Sequence, residues 1–217
     1  MKIISEENKS SSFTRDMARL YEDEDVIVYD KPAGINCDDF PKRVHRLDKD
    51  TSGIFLVAKT DQALTFLQEQ FKSRQVEKKY IGLAVGHLKN ESGQIKTLLG
   101  RSPGDRRKQK VFLALGPEGG NKREAVTYYK VLQRLPDYDL IEAELKTGRK
   151  HQIRAHLSYL GHPLAGDKLY GFKSQPTPKG LNRQFLHASF LKIKLPNNQI
   201  KEFTSELPED LKICLTK

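Results

Sequence analysis

Residues 124–147 read EAVTYYKVLQRLPDYDLIEAELKT. Two runs rich in β-branched and aromatic residues, 124–135 and 139–147, are separated by little more than a Pro-Asp turn, the pattern of neighbouring antiparallel strands. Working outward, DVIVYDK (25–31) is stopped by Pro32-Ala33-Gly34, and GIFLVAK (53–59), KKYIGLAVG (78–86) and KVFLALG (110–116) add further strands. Asp61 is expected to cap a helix in which Leu64, Leu67 and Phe71 recur at helical spacing through Arg74. A second helix is expected in HQIRAHLSYL (151–160), ended by Gly161 with Pro163 beyond it. A hairpin follows from FLHASFLKIKLP across Asn197-Asn198 to IKEFTSELP, then a short helix from near Pro208. Strands in series with few helices between them predict an α+β fold with a mixed, largely antiparallel β-sheet core and flanking helices. Residues 1–20 read as a polar N-terminal arm and residues 21–217 as one domain.

The 217 residues carry 38 Lys+Arg against 28 Asp+Glu, a formal net charge of +10. That balance favours a polyanionic partner, with nucleic acid ahead of an anionic membrane. No apolar window reaches membrane-spanning length and the N-terminus has no apolar signal core, so a cytoplasmic protein without a membrane partner is expected. Cys37 and Cys214 form no paired motif. His151 and His156 are separated by about 140° around a helix, and there is no HExxH, so no metal is expected. GDKLYGFKS (166–174) has Phe172 where a phosphate loop needs lysine, and neither GxGxxG nor GxSxG occurs. No cofactor is expected.

What remains is carboxylate, tyrosine and arginine chemistry. In VHRLDKDTSG (44–53), Asp48 stands between Arg46 and Lys49, and a carboxylate near a guanidinium stays ionised even when partly desolvated. The plain alternative is a surface Arg–Asp bridge.

VHRLDKDTSGIFLVAKT (44–60), the KKY at 78–80, LKTGRKHQIRAHLSYLGHPLAGDKLYG (145–171) and FLHAS (185–189), in that order, resemble the RluA-type RNA pseudouridine synthase family. YEDEDVIVYDKPAGI and GRSPGDRRKQKV fit the same pattern, so the resemblance spans roughly residues 21–207. The His-Arg-Leu-Asp form, rather than Gly-Arg-Leu-Asp, selects the RluA branch. The resemblance implies isomerisation of uridine to pseudouridine in ribosomal or transfer RNA, without cofactor or metal. It implies Asp48 as the catalytic aspartate, Tyr80 as the active-site tyrosine and Arg154 as the partner that keeps Asp48 ionised. Arg46 would help fill the space left by a flipped nucleotide. His45, Lys79, Arg149, Lys150 and His151 would contact RNA, with Lys78, Arg106, Arg107 and Lys108 adding positive surface. A monomer with RNA as its partner and no protein partner is expected.

The chain departs from the family at Lys150, where threonine is common, and in a short 34–45 segment. Its first twenty residues leave no room for the S4-like RNA-binding domain that many relatives carry. Basicity alone fits a non-catalytic RNA-binding protein or RNA chaperone equally well. A glycosidase or phosphotransferase would need a second placed carboxylate or a magnesium site.

Overall fold

The computed structural model describes residues 17–113 and 122–216. Ten strands make one sheet: β1 (Ala18–Glu22), β2 (Val26–Lys31), β3 (Ser52–Ala58), β4 (Glu77–Val85), β5 (Ser92–Arg101), β6 (Gln109–Phe112), β7 (Arg123–Leu135), β8 (Tyr138–Leu145), β9 (Leu186–Lys194) and β10 (Ile200–Thr204). Their spatial order is β1-β2-β3-β9-β4-β8-β7-β5-β6, with β10 paired to β9. Three helices accompany them: α1 (Asp61–Lys72), α2 (Gln152–Tyr159) and the single-turn α3 (Glu209–Lys212). Among the described residues no helix is long and apolar enough to cross a membrane.

Every pairing is antiparallel except the short β3–β9 junction, where Ser52 lies beside His187 and Gly53 beside Ala188. The mixed, largely antiparallel sheet expected from the sequence is therefore present. The 124–147 stretch forms the β7–β8 hairpin, with Leu135 opposite Tyr138 at its end.

Alternation along the strands separates two cores. On β2, Val28 faces Leu56, Leu67 of α1 and Leu191, whereas Tyr29 faces Phe40, Phe55 and the body of the other core. That second core contains Ile153 and Leu157 of α2, Ile141, Ala143 and Leu145 of β8, and Tyr80 of β4. Each fully buried apolar side chain contributes about 1.5–3 kcal/mol relative to exposure. Burial of Ile153 and Leu157 thus fixes α2 over the centre of the sheet.

The structure differs from the sequence reading in detail. Strand β1 was not expected: it begins at Ala18, within the expected polar arm, of which residues 1–16 lie outside the described residues. Strand β5 was not expected, because Gly93, Gly100 and two cationic residues interrupt its apolar content. Its register nevertheless buries Ile95, Thr97 and Leu99 in alternation and exposes Lys96. The cap of α1 is Thr60, whose Oγ1 accepts the Ala63 amide at 3.1 Å; Asp61 is the first helical residue. Strand β6 is shorter than expected, and residues 114–116 lie outside the described residues.

Gly53 makes the parallel junction possible. Its φ is +110°, and a Cβ there would fall 2.2 Å from the Ala188 carbonyl oxygen, so only glycine lets β3 approach β9 this closely. Gly53→Ala should cost about 3 kcal/mol by strain and overpacking, read as a lower urea midpoint; an unchanged midpoint would show that the junction tolerates a side chain.

Candidate active site

Four segments that neighbour one another in the sheet order meet at a cleft: the 46–51 loop before β3, the start of β4, the 145–154 segment from β8 into α2, and the start of β9. Arg46, Asp48, Tyr80, Arg149, His151 and Arg154 all line it, with Leu47, Leu145, Ile153 and Leu186 as apolar walls. About 370 Å³ of space, part of it open to solvent, lies between these residues.

Arg154 organises the centre. It is 7% exposed and makes a two-pronged contact with Asp167, Nε to Oδ2 at 2.7 Å and Nη2 to Oδ1 at 2.8 Å. Its remaining nitrogen, Nη1, donates to Asp48 Oδ2 at 2.9 Å. The ring of Tyr170 lies 5.1 Å from the guanidinium carbon. Burial works against the Arg154 cation, but Asp167 and Asp48 outweigh it and hold the proton more tightly than usual. Asp48 is thereby tied down through one oxygen while the carboxylate borders open space.

Asp167 was missed by the sequence reading as a functional residue, although GDKLYG was singled out. It is 2% exposed, and its Oδ1 also accepts the amides of Leu169 and Tyr170 at 2.9 and 3.0 Å. Burial alone would push its carboxyl upward, but the Arg154 hydrogen bonds and charge, with those amides, hold it below the ordinary carboxylate range. Asp167 is a positioning residue: it fixes the guanidinium plane and so the direction in which Nη1 points.

A second missed residue is Lys31, fully buried at the end of β2. Its Nζ donates to the carbonyls of Pro32, Ile35 and Lys49 at 2.9, 3.1 and 3.1 Å, and the Gly34 amide also donates to Lys49. The residue following Asp48 is thus pinned from the Lys-Pro-Ala-Gly turn. Burial pushes the Lys31 ammonium down to about 8. The readable signal was a lysine closing an apolar strand just before proline.

Tyr80 sits in mid-sheet, opposite Ala143 on β8 and Ala188 on β9. Directly opposed residues share a face, so two small neighbours leave the space beside its ring open. Burial and the Asp48 charge push its phenol upward, so it stays neutral in the cleft wall. His151 adopts a left-handed conformation (φ 55°) ahead of α2, a strained state for a non-glycine residue. Its Nδ1 is 3.0 Å from the Tyr170 hydroxyl and its Nε2 is 3.7 Å from Asp48. Burial, opposed by Asp48, pushes its imidazole down to about 4, so it faces Asp48 as a neutral ring. Gln152 secures this segment, accepting from Thr147 Oγ1 at 2.7 Å and the Arg149 amide at 3.0 Å.

The remaining sequence candidates lie elsewhere. Half-buried His45 stacks on Phe71 at 4.9 Å, and its Nε2 accepts the Leu56 amide. Lys79 points to the sheet face opposite Tyr80, between Glu77 and Glu142 at 3.6 Å each. Lys150 is exposed outside the cleft lining.

Comparison with known proteins places this geometry. A sequence model described as RNA pseudouridylate synthase matches residues 38–159. An uncharacterized RNA pseudouridine synthase of Bacillus subtilis is 37% identical over 90% of this chain and 71% of its own length. One from Chloroflexus aurantiacus is 43% identical over 81% of this chain and 52% of its own. A ribosomal large subunit pseudouridine synthase D of Xylella fastidiosa is 37% identical over 88% of this chain and 66% of its own. The chain thus spans between half and three quarters of the length of these curated relatives. Among solved structures, human RNA pseudouridylate synthase domain containing 1 superposes with a TM-score of 0.79 at 28% identity, covering 99% of this chain and 90% of that one.

Asp167→Asn should lower stability by about 3 kcal/mol at pH 7, because Arg154 is left buried without its two-pronged carboxylate. Since the folded Asp167 carboxyl lies below its ordinary value, its contribution is complete above about pH 4 and fades as pH falls further. Urea unfolding of both proteins at pH 7 and pH 3 checks this: the gap should narrow in acid, and an equal gap at both would refute the ion-pair account.

Proposed function

Because the chain belongs to the RNA pseudouridine synthase family, in its RluA-type branch, we propose that the Asp48 cleft isomerises uridine to pseudouridine in RNA. In this reaction the bond from ribose to uracil nitrogen breaks and a bond from ribose to uracil carbon 5 forms. Carbon 5 loses its hydrogen to solvent and the released nitrogen takes one up. Oxidation state is conserved, so a carboxylate beside a fixed ring can carry the exchange.

The observation that carries this reading is Asp48 itself, held by Arg154 at 2.9 Å and facing a cleft walled by Tyr80. Asp48 supplies the nucleophilic or charge-stabilising carboxylate. Tyr80 offers its ring face to the uracil and its neutral hydroxyl as a donor. Arg154 aims the Asp48 carboxylate by a charge-assisted hydrogen bond. Arg46, exposed at the rim beside Asp38 at 4.0 Å, stands ready to occupy the gap left by the extruded nucleotide. Arg149 and His151 contribute donors and shape to the RNA-facing wall, and Lys150 adds charge outside it.

The Xylella relative and others that share 33–37% identity are named for the large ribosomal subunit. Large-subunit ribosomal RNA is accordingly the proposed substrate, ahead of transfer RNA. The chain is proposed to act as a monomer in the cytoplasm, with RNA as its only macromolecular partner.

The test uses ribosomal RNA labelled with tritium at carbon 5 of uridine, from cells lacking this protein. Wild type should release tritium and Asp48→Asn should stay at background while still binding RNA. Equal release by Asp48→Asn would exclude the mechanism.

A further inference from the structure

Tyr80 shares its face of β4 with Lys78, two residues earlier, because side chains alternate along a strand. Lys78 is 8% exposed. Among the described residues it has no carboxylate within 4 Å and no hydrogen-bond acceptor; its Nζ lies 5.4 Å from the centre of the Phe71 ring. A buried ammonium with only an aromatic ring for company is costly to fold around. No fully enclosed side-chain nitrogen or oxygen lacks a partner among the described residues, so the Lys78 ammonium must open to solvent.

Gly148 defines the opening. It is exposed, and a Cβ there would stand 3.7 Å from Lys78 Nζ, so the absent side chain leaves the ammonium uncovered. The next residue, Arg149, lines the catalytic cleft, and its Nε is fixed by the Glu124 carbonyl at 3.0 Å. That contact orients the guanidinium while leaving its outer nitrogens free of partners among the described residues. Burial, then the charges of Arg123 and Arg74, push Arg149 down; burial and Arg149 push Lys78 down to about 8. Among the described residues only Glu124 opposes this positive charge, near Arg149.

We propose that Lys78 and Arg149, converging beneath Gly148 at the rim of the cleft, form a binding site for a backbone phosphate of the RNA strand that delivers the target uridine. This deepens and rests on the isomerase reading. A phosphodiester supplies the missing countercharge, and a guanidinium with two free nitrogens matches its oxygens. The distance from this site to Tyr80 along β4 is two residues, the scale of one nucleotide. Binding there fixes which nucleotide faces Asp48.

The experiment measures binding of labelled ribosomal RNA, and tritium release from it, across a range of salt. Lys78→Met retains the packing against Phe71 and removes the charge. It should weaken binding about tenfold at 0.1 M salt and flatten the log–log salt slope by about one unit, with kcat/KM falling in step; Lys78→Arg should restore most of the loss. Lys192→Met, which removes a surface partner of Glu202, should match wild type. Should Lys78→Met fail to fold, Gly148→Glu places a carboxylate over the ammonium and should weaken binding similarly. Wild-type tritium release with unchanged binding by either folded variant overturns this site alone. No release by wild type overturns the isomerase reading, and the phosphate site with it.

Discussion

The guanidinium of Arg154 is shared between two carboxylates, and the site depends on how that sharing is divided. Asp167 takes the Nε and Nη2 edge and leaves Nη1 for Asp48. Only a planar, five-donor cation can be gripped along one edge and present another; a lysine at this position would supply a point charge without direction. Burying these groups is unfavourable unless each is fully paired. The pairing is complete on the Asp167 side, through two amides and two arginine bonds, and partial on the Asp48 side, where the carboxylate meets the cleft. The arrangement leaves the unsatisfied hydrogen-bonding capacity on the Asp48 carboxylate, at the cleft.

The surrounding fold holds that division in place. Ile153 and Leu157 seat α2 in the core so that Arg154 projects over the sheet. Lys31 and Gly34 fix the carbonyl of Lys49, next to Asp48, and Gly53 brings β3 against β9 a few residues later. Tyr80 enters from mid-sheet, the most constrained position available, between two alanines. Tyr80 and Arg154 are therefore carried by a strand and a helix, and Asp48 by a loop pinned through its neighbour Lys49, which limits how far the three can shift. His151 keeps a left-handed backbone, and from it the ring meets both Tyr170 and Asp48.

The sheet was legible because its strands carry β-branched runs broken by clear turns, as in 124–147. Strand β5 was less so, because its signal is alternation among lysine, glycine and glutamine rather than apolar content. Asp48, Tyr80 and Arg154 were legible through ordered motifs, and the structure brings all three to one cleft. Asp167 and Lys31 escaped notice because residue type does not reveal burial, and burial is what turns an aspartate or a lysine into a positioning group. The two lysines of KKY show the reverse lesson. Both were read as RNA-facing charge, and strand parity separates them, setting Lys78 beside Tyr80 and turning Lys79 to Glu77 and Glu142. His45 was read from its neighbours in the motif, yet its stacking on Phe71 and acceptance from Leu56 give it a place in the packing.

A double-substitution cycle on the single-turnover isomerisation rate tests most directly whether Asp167 acts on Asp48 through Arg154. Asp167→Asn, Arg154→Lys and the combined variant would be compared with wild type on the same RNA at saturating protein. If Asp167 works by orienting the Arg154 guanidinium, the combined variant will be no slower than Arg154→Lys alone. If the two losses multiply, Asp167 contributes by a separate route and the shared-guanidinium account is wrong.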